Sequence, residues 1–132
     1  MNKKQLEEGL DLKLDFEKRG GLVVVVTQDI TSGEILMVAY ANEEAVKETL
    51  RTRKATYWST SRKELWTKGE TSGDSLEVRE VLLDCDRDAA IYRVIMLGKG
   101  ACHTKNSKGE TRRTCFYRRV HNGKLKFIEG MQ

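Results

Sequence analysis

The run Leu22-Val23-Val24-Val25-Val26-Thr27 constrains the fold of this chain more than any other segment. β-Branched side chains are crowded at χ1 in a helix and pack well on a pleated surface, so a short block of them predicts a strand. The block lacks polar alternation, which predicts burial on both faces. Such a strand needs neighbours. Thr31-Ser32-Gly33 offers a turn and Ile35 to Tyr40 a second apolar run, which together predict a hairpin. Ala55–Thr60, Leu76–Leu83 and Ala89–Leu97 are further strand candidates. Asn122-Gly123 lies between Thr114–Val120 and Leu125–Ile128, the strongest short hairpin signal in the chain.

Helical signals are fewer. Asn42 is a good N-cap, and Glu43 and Glu44 complement a helix N-terminus, so a helix is predicted to about Arg53 with Ala45, Val46, Thr49 and Leu50 inward. Residues 3–19 are ambiguous: Leu6, Leu10 and Leu14 have helical spacing, whereas Leu12, Leu14 and Phe16 alternate as in a strand. The expected fold class is α+β, with a mostly antiparallel, curled or barrel-like sheet of about seven strands and one or two helices. A length of 132 residues without repeats or linkers fits one domain, residues 1–132.

Composition narrows the function classes. With 39% hydrophobic and 33% charged residues the chain is expected to be a folded soluble protein. Its apolar runs fall far short of the roughly 20 residues that span a bilayer, so no membrane partner is expected. MNKKQLEEGL carries acidic residues where a signal peptide needs an apolar block, so the expected location is cytoplasmic. A net charge of +4 favours anionic ligands without separating a nucleotide from RNA. Two Trp, four Tyr and three Phe form no base-stacking motif of the ribonucleoprotein kind, so nucleic acid is not the expected partner.

Four segments could carry chemistry. In an extended chain, Asp84, Asp86 and Asp88 would point to one side and repel one another unless a cation sat among them. Their hard oxygens suit Mg²⁺ or Ca²⁺. An EF-hand is excluded, because Ala89 and Ile95 stand where that loop needs glycine and glutamate. The alternative is a solvated acidic turn. Cys85, Cys102 and Cys115 are an odd number, too dispersed for a zinc knuckle. They match the count of protein ligands at a catalytic zinc, or they are free buried thiols. His103, beside Cys102, suits a general base, whereas His121 precedes the Asn-Gly turn and is expected on the surface. Trp66-Thr67-Lys68-Gly69-Glu70-Thr71-Ser72-Gly73-Asp74 is rich in glycine and hydroxyls, could bind phosphate, and is not a Walker A loop. Its alternative is a polar surface loop. Arg112, Arg113, Arg118 and Arg119 read as a solvated strand face from which one could contact phosphate.

In order and spacing, ILMVAYANEEA (35–45), SRKELWTKGETSGD (61–74), DCDRD (84–88), ACH (101–103) and TCFYR (114–118) resemble the phosphoribosyl-AMP cyclohydrolase family, from about Gly21 to Tyr117. The resemblance implies hydrolysis of the N1–C6 bond of 1-(5-phosphoribosyl)-AMP by a zinc-activated water, in histidine biosynthesis. It implies one Zn²⁺ per subunit on Cys85, Cys102 and Cys115, and Mg²⁺ on Asp84, Asp86 and Asp88. It further implies a homodimer sharing the zinc site between subunits. Substrate contacts are then expected from Arg19 and from Trp66, Thr67, Lys68, Gly69, Glu70, Thr71, Ser72 and Gly73, with His103 as the base. A single cyclohydrolase domain is expected, without the phosphoribosyl-ATP pyrophosphohydrolase domain fused to some relatives. One departure concerns Cys115. Twelve residues separate it from Cys102, more than is usual in the family, through an insert at Lys105–Arg113.

Overall fold

The structure, a computed structural model, describes residues 1–132. The valine-rich block forms β1 (Val23–Asp29), which pairs antiparallel with β2 (Ile35–Ala41). Helix α2 (Glu43–Thr52) follows; the short α1 is Lys3–Glu8. The Asn42 side chain accepts from the Ala45 amide as N-cap, and Arg53 closes α2 at φ 64°. Strands β3 (Thr56–Ser59), β4 (Glu64–Thr67), β5 (Leu76–Leu83) and β6 (Ala89–Met96) complete a six-stranded sheet in the order β4-β3-β2-β1-β6-β5. All its pairings are antiparallel except β1 with β6. The last two strands, β7 (Arg118–His121) and β8 (Lys124–Phe127), form a separate hairpin around Asn122-Gly123.

The large sheet curls because its far strand returns to the start of β3. The Ala55 amide donates to the Leu76 carbonyl at 3.0 Å, and the Val78 amide to Arg53 at 2.7 Å. Inside the curl lie Val23, Val25, Leu36, Ala45, Tyr57, Leu76, Val78, Tyr92 and Val94. β1 alternates: Val23, Val25 and Thr27 are buried while Val24 and Val26 are half-buried, so its second face is only partly covered. No helix is long and apolar enough to cross a membrane.

Three elements depart from expectation. β4 is an extra strand, giving eight in all, and it incorporates Trp66 and Thr67. Residues 114–117 are not paired as a strand; they are tied to β2 through the Cys115 amide and the Leu36 carbonyl, 2.8 Å apart. Residues 3–19 are neither a long helix nor a strand. After α1 the chain runs irregularly to a 3₁₀ turn at Glu17–Arg19, with Leu10 fully exposed.

Arg87 explains how this weakly apolar arm stays in place. Its guanidinium is buried and donates to five carbonyls: Nε to Leu6, Nη1 to Asp11 and Lys13, and Nη2 to Gln5 and Gly9, all at 2.8–3.0 Å. All five donors of the group are thereby used. Removing it strands several carbonyls and costs about 3 kcal/mol, the loss being local to the arm. Arg87→Met is therefore expected to speed tryptic cleavage after Lys13 by about 100-fold, read by mass spectrometry of the released peptide.

Candidate active site

The Asp84–Asp88 segment is a tight turn rather than an extended run. The Arg87 amide donates to the Asp84 carbonyl, and Arg87 itself has φ 61°. The turn still gathers the three carboxylates, with one ligand oxygen from each within 4.8 Å of the others. Asp84 Oδ1 accepts from the amides of Asp88 and Ala89. Desolvation, followed by the neighbouring Asp86, raises the Asp84 carboxyl above its usual range. Asp88 is buried, and its Oδ2 is hydrogen-bonded by nothing, although two cations stand at ion-pair distance. Those cations are Lys18 and Arg19. Lys18 Nζ lies 2.7 Å from Asp86 Oδ2 and 3.0 Å from Asp88 Oδ2, and Arg19 Nη2 lies 3.1 Å from Asp88 Oδ2. Hydrogen bonding to Lys18 holds the Asp86 carboxyl well below the usual range. A convergent oxygen trio, one member of it buried and balanced only by two side-chain cations, fits a hard divalent cation.

Cys85 sits exposed on this turn, while Cys102 and Cys115 meet elsewhere. The insert brings the latter two together. Residues 104–112 fold back on themselves, with the Arg112 amide donating to Thr104 and a bridge between Lys105 and Thr111. The Cys102 amide then pairs with the Arg112 carbonyl. Thr114 Oγ1 donates to the Ile35 carbonyl at 2.7 Å, which seats Cys115 against β2. Burial opposes ionisation of Cys102. Hydrogen bonds from the Thr104 hydroxyl and amide, then Cys115 and the Arg112 charge, outweigh it and hold the thiol below its ordinary value. Desolvation and the adjacent Cys102 push the Cys115 thiol up to about 11, against the charge of Lys68. This pairing suits a soft metal that replaces both protons. Within one chain the sulfur of Cys85 does not complete the set, since the aspartates are the only three such donors gathered within 4.8 Å.

The 66–74 segment approaches this thiol pair through Lys68. Trp66 packs on Tyr57 with ring centroids 5.0 Å apart, and the Thr67 hydroxyl bonds that of Thr56. These two anchor the loop. Gly69, at φ 79°, has the Ser75 backbone where a Cβ would lie, so the loop turns sharply there. Glu70, Thr71 and Ser72 are exposed, and the Gly73 amide closes back on the Gly69 carbonyl. His103 is exposed beside buried Cys102, and His121 is exposed on β7. Arg112 is occupied by the Met131 carbonyl and the Tyr117 ring, and Arg113 by Glu34. Arg118 and Arg119 lie on the exposed hairpin.

Sequence reasoning missed Lys18, Arg87 and Thr104. An acidic trio implies a counter-cation, which is the signal for Lys18. The other two act through contacts that local pattern does not carry.

Comparison with known proteins adds relatives across most of the chain. A family model described as phosphoribosyl-AMP cyclohydrolase matches residues 37–117. A protein of that name from Desulfatibacillum aliphaticivorans is 46% identical over 117 residues, covering 89% of each chain. Another from Archaeoglobus fulgidus is 50% identical, covering 87% of this chain and 99% of that one. The histidine biosynthesis bifunctional protein HisIE of Thermus thermophilus is 57% identical, covering 87% of this chain and 51% of its own length.

Proposed function

Since the chain belongs to the phosphoribosyl-AMP cyclohydrolase family and is thus a hydrolase, we propose that it opens the adenine ring of 1-(5-phosphoribosyl)-AMP at N1–C6, in histidine biosynthesis. The feature that carries the chemistry is the Cys102 thiol set against that of Cys115, with the charge of Lys68 acting on Cys115 and His103 next to Cys102 in the chain. The two thiols would hold zinc, with Cys85 of the partner subunit as third ligand. Support for a second copy comes from the exposure of Cys85 and from the exposed apolar side chains of Val38, Tyr40, Phe116, Val120 and Leu125. When bound, zinc supplies the Lewis acidity that brings a water's pKa toward neutrality.

The chain's own groups do the rest. N1 substitution makes the substrate ring cation-like and electrophilic at C6. His103 takes the proton from the attacking water and returns it to N1, so that the tetrahedral carbon collapses to a carboxamide as C6–N1 breaks and N1 leaves as an amidine N–H. Lys68 and the hydroxyls of Thr71 and Ser72 bind phosphate, and Asp84, Asp86 and Asp88 would hold magnesium. Trp66 and Thr67 keep that loop in register. A zinc-loaded preparation is expected to convert phosphoribosyl-AMP with a change in ultraviolet absorbance, to stop when chelated, and to resume on adding zinc. Turnover unaffected by complete zinc removal would overturn the metal assignment, and no turnover under any metal condition would overturn the reading.

A further inference from the structure

We propose that Lys18 is a built-in counter-ion that a divalent cation must displace from the aspartate turn, and that this exchange delivers Lys18 to an anionic ligand. The inference rests on the magnesium assignment above. Lys18 Nζ bridges Asp86 and Asp88 at 2.7 and 3.0 Å, so it sits on two of the three carboxylates that would hold the cation. Mg²⁺ binds such oxygens at about 2.0–2.1 Å. An ammonium and a dication on shared oxygens repel, so each excludes the other.

The local backbone is built for exchange. On one side the chain is fixed, with the Asp15 amide on the Arg87 carbonyl at 2.8 Å. On the other it enters β1, where the Val24 amide meets the Asp88 carbonyl at 3.3 Å. Between these anchors lie the 3₁₀ turn and Gly20-Gly21, at φ 65° and 95°, with open space where side chains would be. The Lys18 side chain is 45% exposed, so it can leave for solvent without disturbing the core. Arg19, paired to the same Asp88 oxygen, would be loosened with it. Cation binding thus turns a neutralised turn into a site flanked by mobile positive charge, which suits a nucleotide phosphate.

The test uses the whole protein and two readouts other than turnover. In calorimetric titration with Mg²⁺, Lys18→Met is expected to bind about fivefold more tightly than wild type, the size of one exposed ion pair, while Lys18→Arg stays near wild type. In wild type, Mg²⁺ is expected to raise acylation of Lys18 by an N-hydroxysuccinimide ester severalfold, other lysines serving as internal controls. Adding AMP should protect Lys18 again only when Mg²⁺ is present. Equal Mg²⁺ affinity in Lys18→Met and wild type, Mg²⁺-independent labelling, absence of Mg²⁺ binding, or absence of AMP protection would each overturn the proposal. Turnover of phosphoribosyl-AMP by the same preparation reports separately on the function: an active protein with unchanged labelling loses this inference alone.

Discussion

Replacing Cys102 with alanine is expected to strip the protein of zinc and to bring turnover down to background. Cys102 is the buried member of the thiol pair, and Thr104 already biases it toward thiolate. A catalytic zinc usually has three protein ligands, so losing one leaves too few to retain the ion. The substitution removes one sulfur from a site framed by backbone hydrogen bonds between residues 101–102 and 112–113, which stay intact. Metal analysis on folded, dialysed protein, alongside the absorbance assay, checks both halves. A zinc-free variant with normal turnover would remove the thiol pair from the chemistry.

His103→Ala is the second large effect. The ring is exposed and follows the buried ligand directly, so it can be removed without leaving a cavity. A general base contributes about 10²–10⁴ to rate, and kcat is expected to fall within that span while KM and zinc content hold. A kcat within about twofold of wild type would make His103 a bystander. A rise in KM at constant kcat would instead place it among the groups that bind substrate.

Much of this was legible because it is local. β5 spans Leu76–Leu83, the bounds expected of it, and Asn42 caps α2 as its side chain predicts. The aspartate trio was visible, but for the wrong geometric reason: an extended chain and a turn both gather alternate residues, and Arg87 at φ 61° selects the turn. Spacing alone left Cys115 the least secure of the sulfurs. The folded-back insert brings Cys115 near Cys102 despite the long spacing, because a hairpin brings its ends together whatever its length. Residues 3–19 were illegible for the opposite reason. Their partner is one guanidinium 74 to 82 positions further along, and no periodicity announces such a contact. β4 escaped notice because Glu64–Thr67 is short and sits at a sheet edge, where one polar face is tolerated.

The guanidinium clamp also sets an order of events during synthesis. Leu6 leaves the ribosome 81 residues before the side chain that will hold its carbonyl. At about 5–20 residues per second, that is a wait of roughly 4 to 16 s. Until then the arm has no stable resting place. Lys18 and Arg19 close the same arm, so they too must wait for the Asp84–Asp88 turn to be made before they can pair with it.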